Sequence, residues 1–153
     1  MKMLFVCLGN ICRSPAAENI MNHKIELAGV GSTLQCDSAG TSSYHVGSAP
    51  DRRMSDCLRK RGYPIHGRSR QFSMNDLDEF DLILAMDREN YRDILRLDPK
   101  GKYYDKVKMM CDYATLFSDK DVPDPYYGGQ SGFEHVANLL EDACDHLLTS
   151  LNL

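Results

Sequence analysis

Cys7 and Arg13 are the residues near the start of the chain whose types and spacing could do chemistry. They enclose the stretch Cys7-Leu8-Gly9-Asn10-Ile11-Cys12-Arg13. A loop that leads into a helix directs successive backbone N–H groups at an anion, and a guanidinium adds a bidentate contact. The same positive field favours the thiolate form of a cysteine in that loop. The stretch therefore predicts a nucleophilic Cys7 beside an anion-binding site.

The residues on either side indicate how this loop is held. Lys2-Met3-Leu4-Phe5-Val6 is a short apolar run typical of a buried parallel strand. Ser14 and Pro15 are favoured as the N-cap and the first residue of a helix. A strand before the loop and a helix after it are the context that anion binding requires. The alternative is that Cys7 is an inert buried thiol and Arg13 a solvated helix residue.

The rest of the chain alternates short apolar strands with helices. Strands are predicted at 34–39, 82–86 and 107–110, and helices at 15–28, 51–61, 72–80 and 87–96. Ser131-Gly132-Phe133-Glu134 has the form of a capping box that opens a final helix. This order predicts an α/β fold, with a four-stranded parallel sheet flanked by helices in a single three-layer domain, 1–153. Ligands of such folds bind beyond the carboxyl ends of the strands, where Cys7 falls.

Composition excludes several classes of protein. A chain of 153 residues suits one domain, and its net charge of −4 gives no electrostatic footprint for nucleic acid. No apolar run is long enough to span a bilayer, and the apolar residues after Lys2 are too few for a signal peptide. The cysteines are scattered and form no paired zinc pattern. We expect a monomeric cytoplasmic protein with reduced thiols and without metal, cofactor, nucleic acid or membrane.

Residues Val6 to Pro15 resemble the phosphate-binding loop of the low molecular weight protein tyrosine phosphatases. A second match, Asp124-Pro125-Tyr126-Tyr127-Gly128, lies near the other end of the chain, where that family keeps its general acid. Between them, Asp37 to Thr41 and Ala85 to Asp87 resemble family segments in the same order. The resemblance covers essentially the whole chain. It implies a hydrolase of phosphotyrosine and other aryl phosphate monoesters that releases inorganic phosphate and needs no cofactor.

The resemblance assigns the catalytic roles to three residues. Cys7 is expected to attack the phosphorus in line and form a phosphocysteine, while Arg13 and the loop amides hold the equatorial oxygens. Asp124 is expected to protonate the leaving phenolate and then to activate water. On its own, Pro123-Asp124-Pro125 is an ordinary turn, and only its pairing with the Cys7 loop indicates an acid.

Further positions are matched to supporting roles. Ser14 matches a serine whose hydroxyl binds the thiolate, although it could equally cap the helix. Asn10 matches the asparagine that holds the loop in its strained shape, with Ser38 and His66 as expected partners. Cys12 matches a second loop cysteine found in part of the family. The phosphate-binding loop is thus assigned to Leu8, Gly9, Asn10, Ile11, Cys12, Arg13 and Ser14.

Cys12 is also expected to protect Cys7 from irreversible oxidation. A reactive thiolate is the thiol most easily oxidised, and a loop curled around one phosphate should bring Cys7 and Cys12 within disulfide distance. Peroxide would then form a reversible Cys7–Cys12 disulfide. The alternative is that Cys12 is a small buried thiol that only packs.

Two features of the sequence indicate the type of substrate. Ile11 stands at the centre of the loop, where the related arginine phosphatases carry threonine, so isoleucine favours an aryl phosphate. Tyr44 falls where many family members have tryptophan, before His45-Val46-Gly47. With Tyr126 and Tyr127 it is expected to line the pocket and stack on a phenyl ring. Tyr126 and Tyr127 could instead be plain packing aromatics.

Other functions on the same fold remain open. An arsenate reductase-type redox enzyme shares the loop but needs further redox cysteines, and the segment Leu82 to Asn90 contains none. A protein arginine phosphatase is a second alternative. A non-catalytic phosphotyrosine-binding module is a third, but it would have no need for both Cys7 and Asp124.

Overall fold

The computed structural model describes residues 1–127 and 129–153, and for Tyr127 the backbone alone. Its strands are β1 (Lys2–Cys7), β2 (Gln35–Gly40), β3 (Leu82–Ala85) and β4 (Val107–Met109). They form a parallel sheet in the order β2-β1-β3-β4. β1 lies in the middle and β3 is buried throughout, as the continuous apolar runs of inner parallel strands require. The predicted α/β fold with a four-stranded parallel sheet is confirmed.

Helices cover both faces of this sheet. They are α1 (Arg13–Ala28), α2 (Arg52–Lys60), α3 (Met74–Glu79), α4 (Arg88–Arg96) and α5 (Gln130–Ser150), with short 3-10 helices at Tyr104–Lys106, Met110–Tyr113 and Pro125–Tyr127. α1, α2 and α5 pack on one face, and α3 and α4 pack on the other. Among the helices in residues 1–127 and 129–153, none has both the length and the apolar character needed to cross a membrane.

The alternation of side chains along β1 decides where its last residue points. Met3, Phe5 and Cys7 belong to the core beneath α1, α2 and α5, whereas Leu4 and Val6 belong to the core beneath α3 and α4. Cys7 therefore lies at the carboxyl end of a central strand, on the face that carries α1. This is the position predicted for a ligand site in such a fold.

Two predicted helix starts are wrong. α1 begins at Arg13 instead of Pro15, with Cys12 before it and no side-chain cap. The capping role considered for Ser14 is therefore excluded, and its hydroxyl is bound elsewhere. α5 begins at Gln130, so the predicted capping box at Ser131 does not form. Glu134, the expected partner of Ser131 in that capping box, instead binds Arg61 at 2.5 Å, because a guanidinium is a stronger donor than a helix N–H.

Two other helix ends were predicted correctly. Gly29 closes α1 in the left-handed conformation, as predicted. Asp87 caps α4 as predicted, accepting a hydrogen bond from Asn90 N at 2.8 Å.

Candidate active site

The segment Cys7–Arg13, called the Cys7 loop below, has bound carbonyl groups and unbound backbone N–H groups. Its carbonyl groups at Cys7, Leu8, Gly9 and Ile11 accept hydrogen bonds from outside the loop. The donors are the N–H groups of Thr41, Ser42 and Asp51 and the hydroxyl of Ser69, at 2.6–3.0 Å. The N–H groups of Leu8 to Cys12 have no acceptor within residues 1–127 and 129–153. They are therefore donors for an anion.

Gly40, the last residue of β2, allows the loop to approach the sheet closely. A Cβ atom at this position would lie 2.7 Å from Leu8 O and 3.0 Å from Asn10 N. These neighbours are backbone atoms that cannot rotate away, so only glycine fits without displacing the loop. The loop also requires Asn10 to take a positive φ of 53°, which is uncommon for a residue with a side chain. Both features fix the curvature of the Cys7 loop.

The side chain of Asn10 holds the loop in this conformation. Its amide nitrogen donates to Ser14 Oγ at 2.8 Å and to Ser38 Oγ at 2.9 Å, and its oxygen accepts from Arg70 N at 3.0 Å. Ser14 Oγ lies 3.0 Å from Cys7 Sγ. Because Ser14 already accepts from Asn10, its own hydrogen is left for an acceptor, and the Cys7 sulfur is nearer than Ala39 O at 3.4 Å.

His66 was predicted in this network, and that prediction is wrong. Its side chain is exposed, and its backbone pairs with Asn19 of α1 through hydrogen bonds of 3.1 and 3.2 Å. The position beside Asn10 that was predicted for His66 is taken by another group. Asn10 is satisfied by the backbone of Arg70, and the hydroxyl of Ser38 donates to Glu18. Ser38 itself is a partner of Asn10, as expected.

Arg13 is the cation of the site and is 4 % exposed. Its guanidinium donates to Asp87 Oδ2 at 2.6 Å and to Val122 O at 3.1 Å. Burial alone would lower the pKa of Arg13, but Cys7, Asp87 and Asp124 around it raise that pKa, so the guanidinium stays charged. Asp87 thus binds Arg13 through one carboxylate oxygen and caps α4 through the other.

Asp124 reaches the same site from the far end of the chain. Its Oδ1 accepts from Tyr126 N at 3.0 Å, and its Oδ2 lies 3.9 Å from a guanidinium nitrogen of Arg13. The segment is tied to the sheet by Val122, whose N–H donates to Met86 O at 2.8 Å. The side chain of Asp124 remains 43 % exposed. A carboxylate in this position can exchange a proton with a bound molecule or with water.

These groups surround a cavity of about 520 Å³. It is lined by Cys7, Leu8, Gly9, Ile11, Cys12, Arg13, Ser42, Tyr44, His45, Asp124 and Tyr126. Tyr44 is 90 % exposed and Tyr126 54 % exposed, so both stand at the rim. The guanidinium of Arg53 lies 5.1 Å from the centre of the Tyr126 ring. The side chain of Tyr127, the remaining predicted pocket member, lies outside what the structure describes.

Several residues of the site were not predicted from the sequence. Asp87 was predicted only as a helix cap, and Glu18 and Arg70 were not assigned to the site. Asp87 could have been found, because it follows a strand whose carboxyl end meets that of β1 in the sheet. Nothing in the local sequence marks Glu18 or the backbone of Arg70, since Glu18 contacts Ser38 of β2 and Arg70 N contacts the side chain of Asn10.

The cysteines of the chain form no disulfides with one another, and Cys12 is held in the thiol form. Burial and the carboxylate of Asp51 raise the pKa of Cys12 well above its usual range. In the described part of the chain, no group of three or more His, Cys, Asp or Glu residues is arranged to hold a metal ion. Cys12 lines the same cavity as Cys7.

Comparisons with known proteins agree with this architecture. Residues 2–153 match the family described as low molecular weight phosphotyrosine protein phosphatase. A Synechocystis protein named a putative low molecular weight protein-tyrosine-phosphatase is 70% identical over 151 residues, which cover 99% of this chain and 96% of the relative.

Solved structures resemble the whole chain as well. A crystal structure of a protein tyrosine phosphatase from Entamoeba histolytica, with Hepes in the active site, has a TM-score of 0.95 and 47% identity, covering 99% of this chain and 97% of its own. A Drosophila arginine phosphatase has a TM-score of 0.90 and 29% identity, covering 100% and 99%. The names of these similar proteins therefore cover two kinds of phosphorylated residue.

Proposed function

Because the chain belongs to the low molecular weight phosphotyrosine protein phosphatase family, we propose that it hydrolyses phosphotyrosine and related aryl phosphate monoesters. The family expected from the sequence is confirmed. The observation that carries the proposal is that Asp124, distant in sequence from Cys7 and Arg13, lines the same cavity as these two residues at the carboxyl end of β1. A nucleophile, an anion-binding cation and a proton donor are the groups that the reaction requires.

In the first step, Cys7 attacks the phosphorus and the bond to the phenolic oxygen breaks. The N–H groups of the Cys7 loop and Arg13 bind the phosphoryl oxygens, where negative charge is concentrated in the transition state. One guanidinium nitrogen of Arg13 is held by Asp87 and Val122 O, whereas the other lies 3.9 Å from Asp124. This second nitrogen is therefore oriented to donate to the phosphate. The Ser14 hydroxyl stabilises the thiolate before attack.

Asp124 serves the leaving group and then the water. As the phenolate leaves, Asp124 donates its proton to it, and the ionised carboxylate then takes a proton from the water that attacks the phosphocysteine. Phosphate leaves and the Cys7 thiolate is regenerated. The exposure of Asp124 and its place in the lining of the cavity support this assignment.

The walls of the cavity favour a flat aromatic ring. Leu8 and Ile11 provide apolar surface, and Tyr44 and Tyr126 stand at the rim, where they can stack on a phenyl group. The likeness to an arginine phosphatase makes phosphoarginine the second candidate substrate. The isoleucine at position 11 supports the aryl substrate, because it offers no polar partner for a guanidinium group.

The test is a panel of phosphotyrosine, phosphoserine and phosphoarginine peptides, assayed with EDTA present. A separate assay with arsenate and a thiol donor tests for the alternative arsenate reductase activity. We expect phosphotyrosine to be hydrolysed with EDTA present, because Arg13 and the loop amides bind the phosphate. The change Cys7→Ser should abolish turnover while retaining phosphate binding. The control Cys111→Ser, outside the cavity, should keep both turnover and phosphate binding. Loss of activity in EDTA, or turnover by Cys7→Ser, would contradict the mechanism.

We also propose that the protein acts in the cytoplasm and as a monomer. The free cysteines suit a reducing compartment. Cys7, Arg13 and Asp124 all come from this one chain, so a second copy need not complete the site. The net charge of −4 does not suit binding to nucleic acid or to an anionic membrane surface.

A further inference from the structure

A second cavity, of about 350 Å³, lies beside α2 and is called the α2 cavity below. Its lining comes from the helix and the chain on either side of it, namely Ser55 and Arg59 of α2, Ala49 and Pro50 before it, and residues 65–68 after it. It shares no lining residue with the cavity around Cys7. The proposed mechanism therefore uses none of the groups that face this second space.

The lining of the α2 cavity carries positive charge and no carboxylate. Arg68 is exposed, and its guanidinium has no acceptor within residues 1–127 and 129–153. Arg59 donates through one nitrogen to Asp56 Oδ1 at 3.3 Å. Both side chains of that pair are more than half exposed, and such ion pairs contribute little stability. Both guanidinium groups are therefore available to an anion.

Ser55 is the buried polar side chain of this cavity. The residue is 3 % exposed, and its backbone N–H donates to Asp51 O at 2.9 Å. Its hydroxyl has no hydrogen-bond partner among the residues that the structure describes. A buried hydroxyl without a partner destabilises a fold. Because Ser55 lines the α2 cavity, this hydroxyl indicates a polar occupant there.

Backbone groups add two further donors. The N–H groups of Gly67 and Arg68 have no acceptor in the described part of the chain, whereas His66 N is bound by Asn19 Oδ1 at 3.1 Å. Two guanidinium groups, a hydroxyl and two N–H groups are thus left without acceptors beside one cavity. This set of donors suits an anion with several oxygens.

Two carboxylates lie near the α2 cavity without lining it. Asp56 is the partner of Arg59. The oxygens of Glu18 lie 4.0 Å from the position that a Cβ of Gly67 would take. Burial raises the pKa of Glu18 to about 7, so this carboxyl group is partly neutral near that pH. The two arginines therefore leave the region with a net positive charge.

We propose that the α2 cavity binds the phosphoryl group of a phosphate monoester, with Arg59, Arg68 and the Ser55 hydroxyl as donors. A phosphoryl dianion matches two guanidinium groups, whose planar forks bind phosphate oxygens in pairs. A space of about 350 Å³ is larger than inorganic phosphate requires, so apolar surface of the lining remains for the group that carries the phosphate. That group is either a protein side chain or a small molecule, and the test separates the two.

The test is a titration of isotope-labelled protein followed by NMR, with the amide signals of Gly67 and Arg68 as the readout. The Cys7→Ser variant is used so that no ester is hydrolysed, and the ionic strength is held constant. The probes are inorganic phosphate, glycerol phosphate and a phosphoserine peptide, with the unphosphorylated peptide as the reference. The signals of Gly9 and Asn10 report binding at the Cys7 loop in the same titration.

We expect each phosphate to shift the signals of Gly67 and Arg68 until they saturate. Arg59→Gln and Arg68→Gln should each weaken this binding roughly tenfold, because a hydrogen bond to a charged group is lost. Ser55→Ala should weaken it by a few-fold, because a single hydroxyl donor is removed. None of the three changes should alter the response of Gly9 and Asn10 to phosphate, since these residues belong to the other site.

The three probes distinguish the source of the phosphate. Binding of the phosphoserine peptide at least about tenfold tighter than glycerol phosphate would assign the site to a phosphorylated protein. The reverse order would assign it to a small phosphorylated molecule, and equal affinities would mean that the phosphoryl group alone is recognised. Each of these results supports a phosphoryl site.

Arg52→Gln is the matched control, because Arg52 lies on the same helix and is also paired with Asp56 but does not line the cavity. It should retain the wild-type affinity. Signals of Gly67 and Arg68 that do not move with phosphate, or move equally with the unphosphorylated peptide, would overturn the proposal. A loss in Arg52→Gln as large as in Arg68→Gln would overturn it too, because a diffuse positive field would then explain the binding. The titration measures binding alone, so its result is independent of the proposed function.

Discussion

The two sides of the cavity are built in different ways. On the side of the Cys7 loop, Cys7, Asn10, Arg13 and Ser14 are at most 4 % exposed, and their side chains are joined by hydrogen bonds to one another or to the sheet. On the other side, Asp124 is 43 % exposed and is positioned by one N–H group and a contact of 3.9 Å to Arg13.

This difference corresponds to two chemical tasks. The phosphoryl group is the same in every substrate, so groups that bind it can be fixed in advance, which is the most effective form of electrostatic stabilisation. The leaving group varies in size and shape, and an exposed acid can serve substrates that differ beyond the phosphate. The Cys7 side should therefore be sensitive to small changes of shape, and the Asp124 side to changes of chemistry.

After the loss of turnover in Cys7→Ser, the largest effect is expected on the exposed side. Asp124→Asn should lower kcat on phosphotyrosine by about two orders of magnitude or more, because the amide cannot protonate the phenolate. The measurement is kcat for a series of aryl phosphates whose leaving groups differ in acidity. The loss should shrink for leaving groups that need no proton. An equal loss across the series would exclude Asp124 as the acid.

A single methyl group should disturb the rigid side. In Gly40→Ala the new Cβ would lie 2.7 Å from Leu8 O, so the Cys7 loop must shift. We expect kcat/KM and the affinity for inorganic phosphate to fall roughly tenfold together, with a loss of about 1–3 kcal/mol of stability, typical of overpacking. Phosphate titration, kinetics and urea unfolding measure the three effects.

Gly31→Ala is the matched control for this change. A Cβ there would meet only the Ile25 side chain at 3.9 Å, and the change should leave phosphate affinity and kcat/KM as they are. Wild-type phosphate affinity in Gly40→Ala would show that the loop adapts and is less rigid than its contacts indicate.

The same two sides differ in how far the sequence predicted them. The strands and the position of Cys7 at the end of β1 followed from apolar runs and from the edge where parallel strands end. The assignment of Asp124 to the site followed from the family resemblance, because its own segment is that of an ordinary turn. The start of α1 was wrong, because Ser14 forms hydrogen bonds with Cys7 and Asn10 instead of a helix cap.

Partners that approach from other segments could not be predicted. His66 was expected beside Asn10, but the backbone of Arg70, four residues later, takes that place. A backbone N–H carries no mark of residue type, so no motif could have shown it. Glu18 has the spacing of an ordinary helix residue, and its hydrogen bond from Ser38 becomes visible only when β2 packs against α1.

A third prediction concerns oxidation of the buried side. Peroxide should oxidise the Cys7 thiolate to a sulfenic acid, which the Cys12 thiol then attacks, forming a disulfide and releasing water. Cys12 lines the same cavity, and its raised pKa leaves Cys7 as the thiol that reacts first. Dithiothreitol should restore the wild type but not Cys12→Ser, in which Cys7 is oxidised further.

Peptide mass mapping of the oxidised wild type checks this prediction, and bound phosphate should protect both forms. Cys111→Ser should recover like the wild type, since Cys111 lies outside the cavity. Equal recovery of wild type and Cys12→Ser, with no Cys7–Cys12 peptide, would leave Cys12 as a packing residue.

The smallest effect is expected where the two sides meet, at Ile11. The side chain of Ile11 projects from the rigid loop into the lining of the cavity, so we expect it to contact the leaving group and not the phosphate. Ile11→Thr should raise the ratio of phosphoarginine to phosphotyrosine hydrolysis by a few-fold, because a hydroxyl replaces apolar surface worth roughly 1 kcal/mol to a ring. The two values of kcat/KM measure it. Val46→Thr, the same kind of change at a position outside the cavity lining, should leave the ratio as it is. An unchanged or opposite ratio in Ile11→Thr would place the selectivity in the rim, with Tyr44 as the next residue to change.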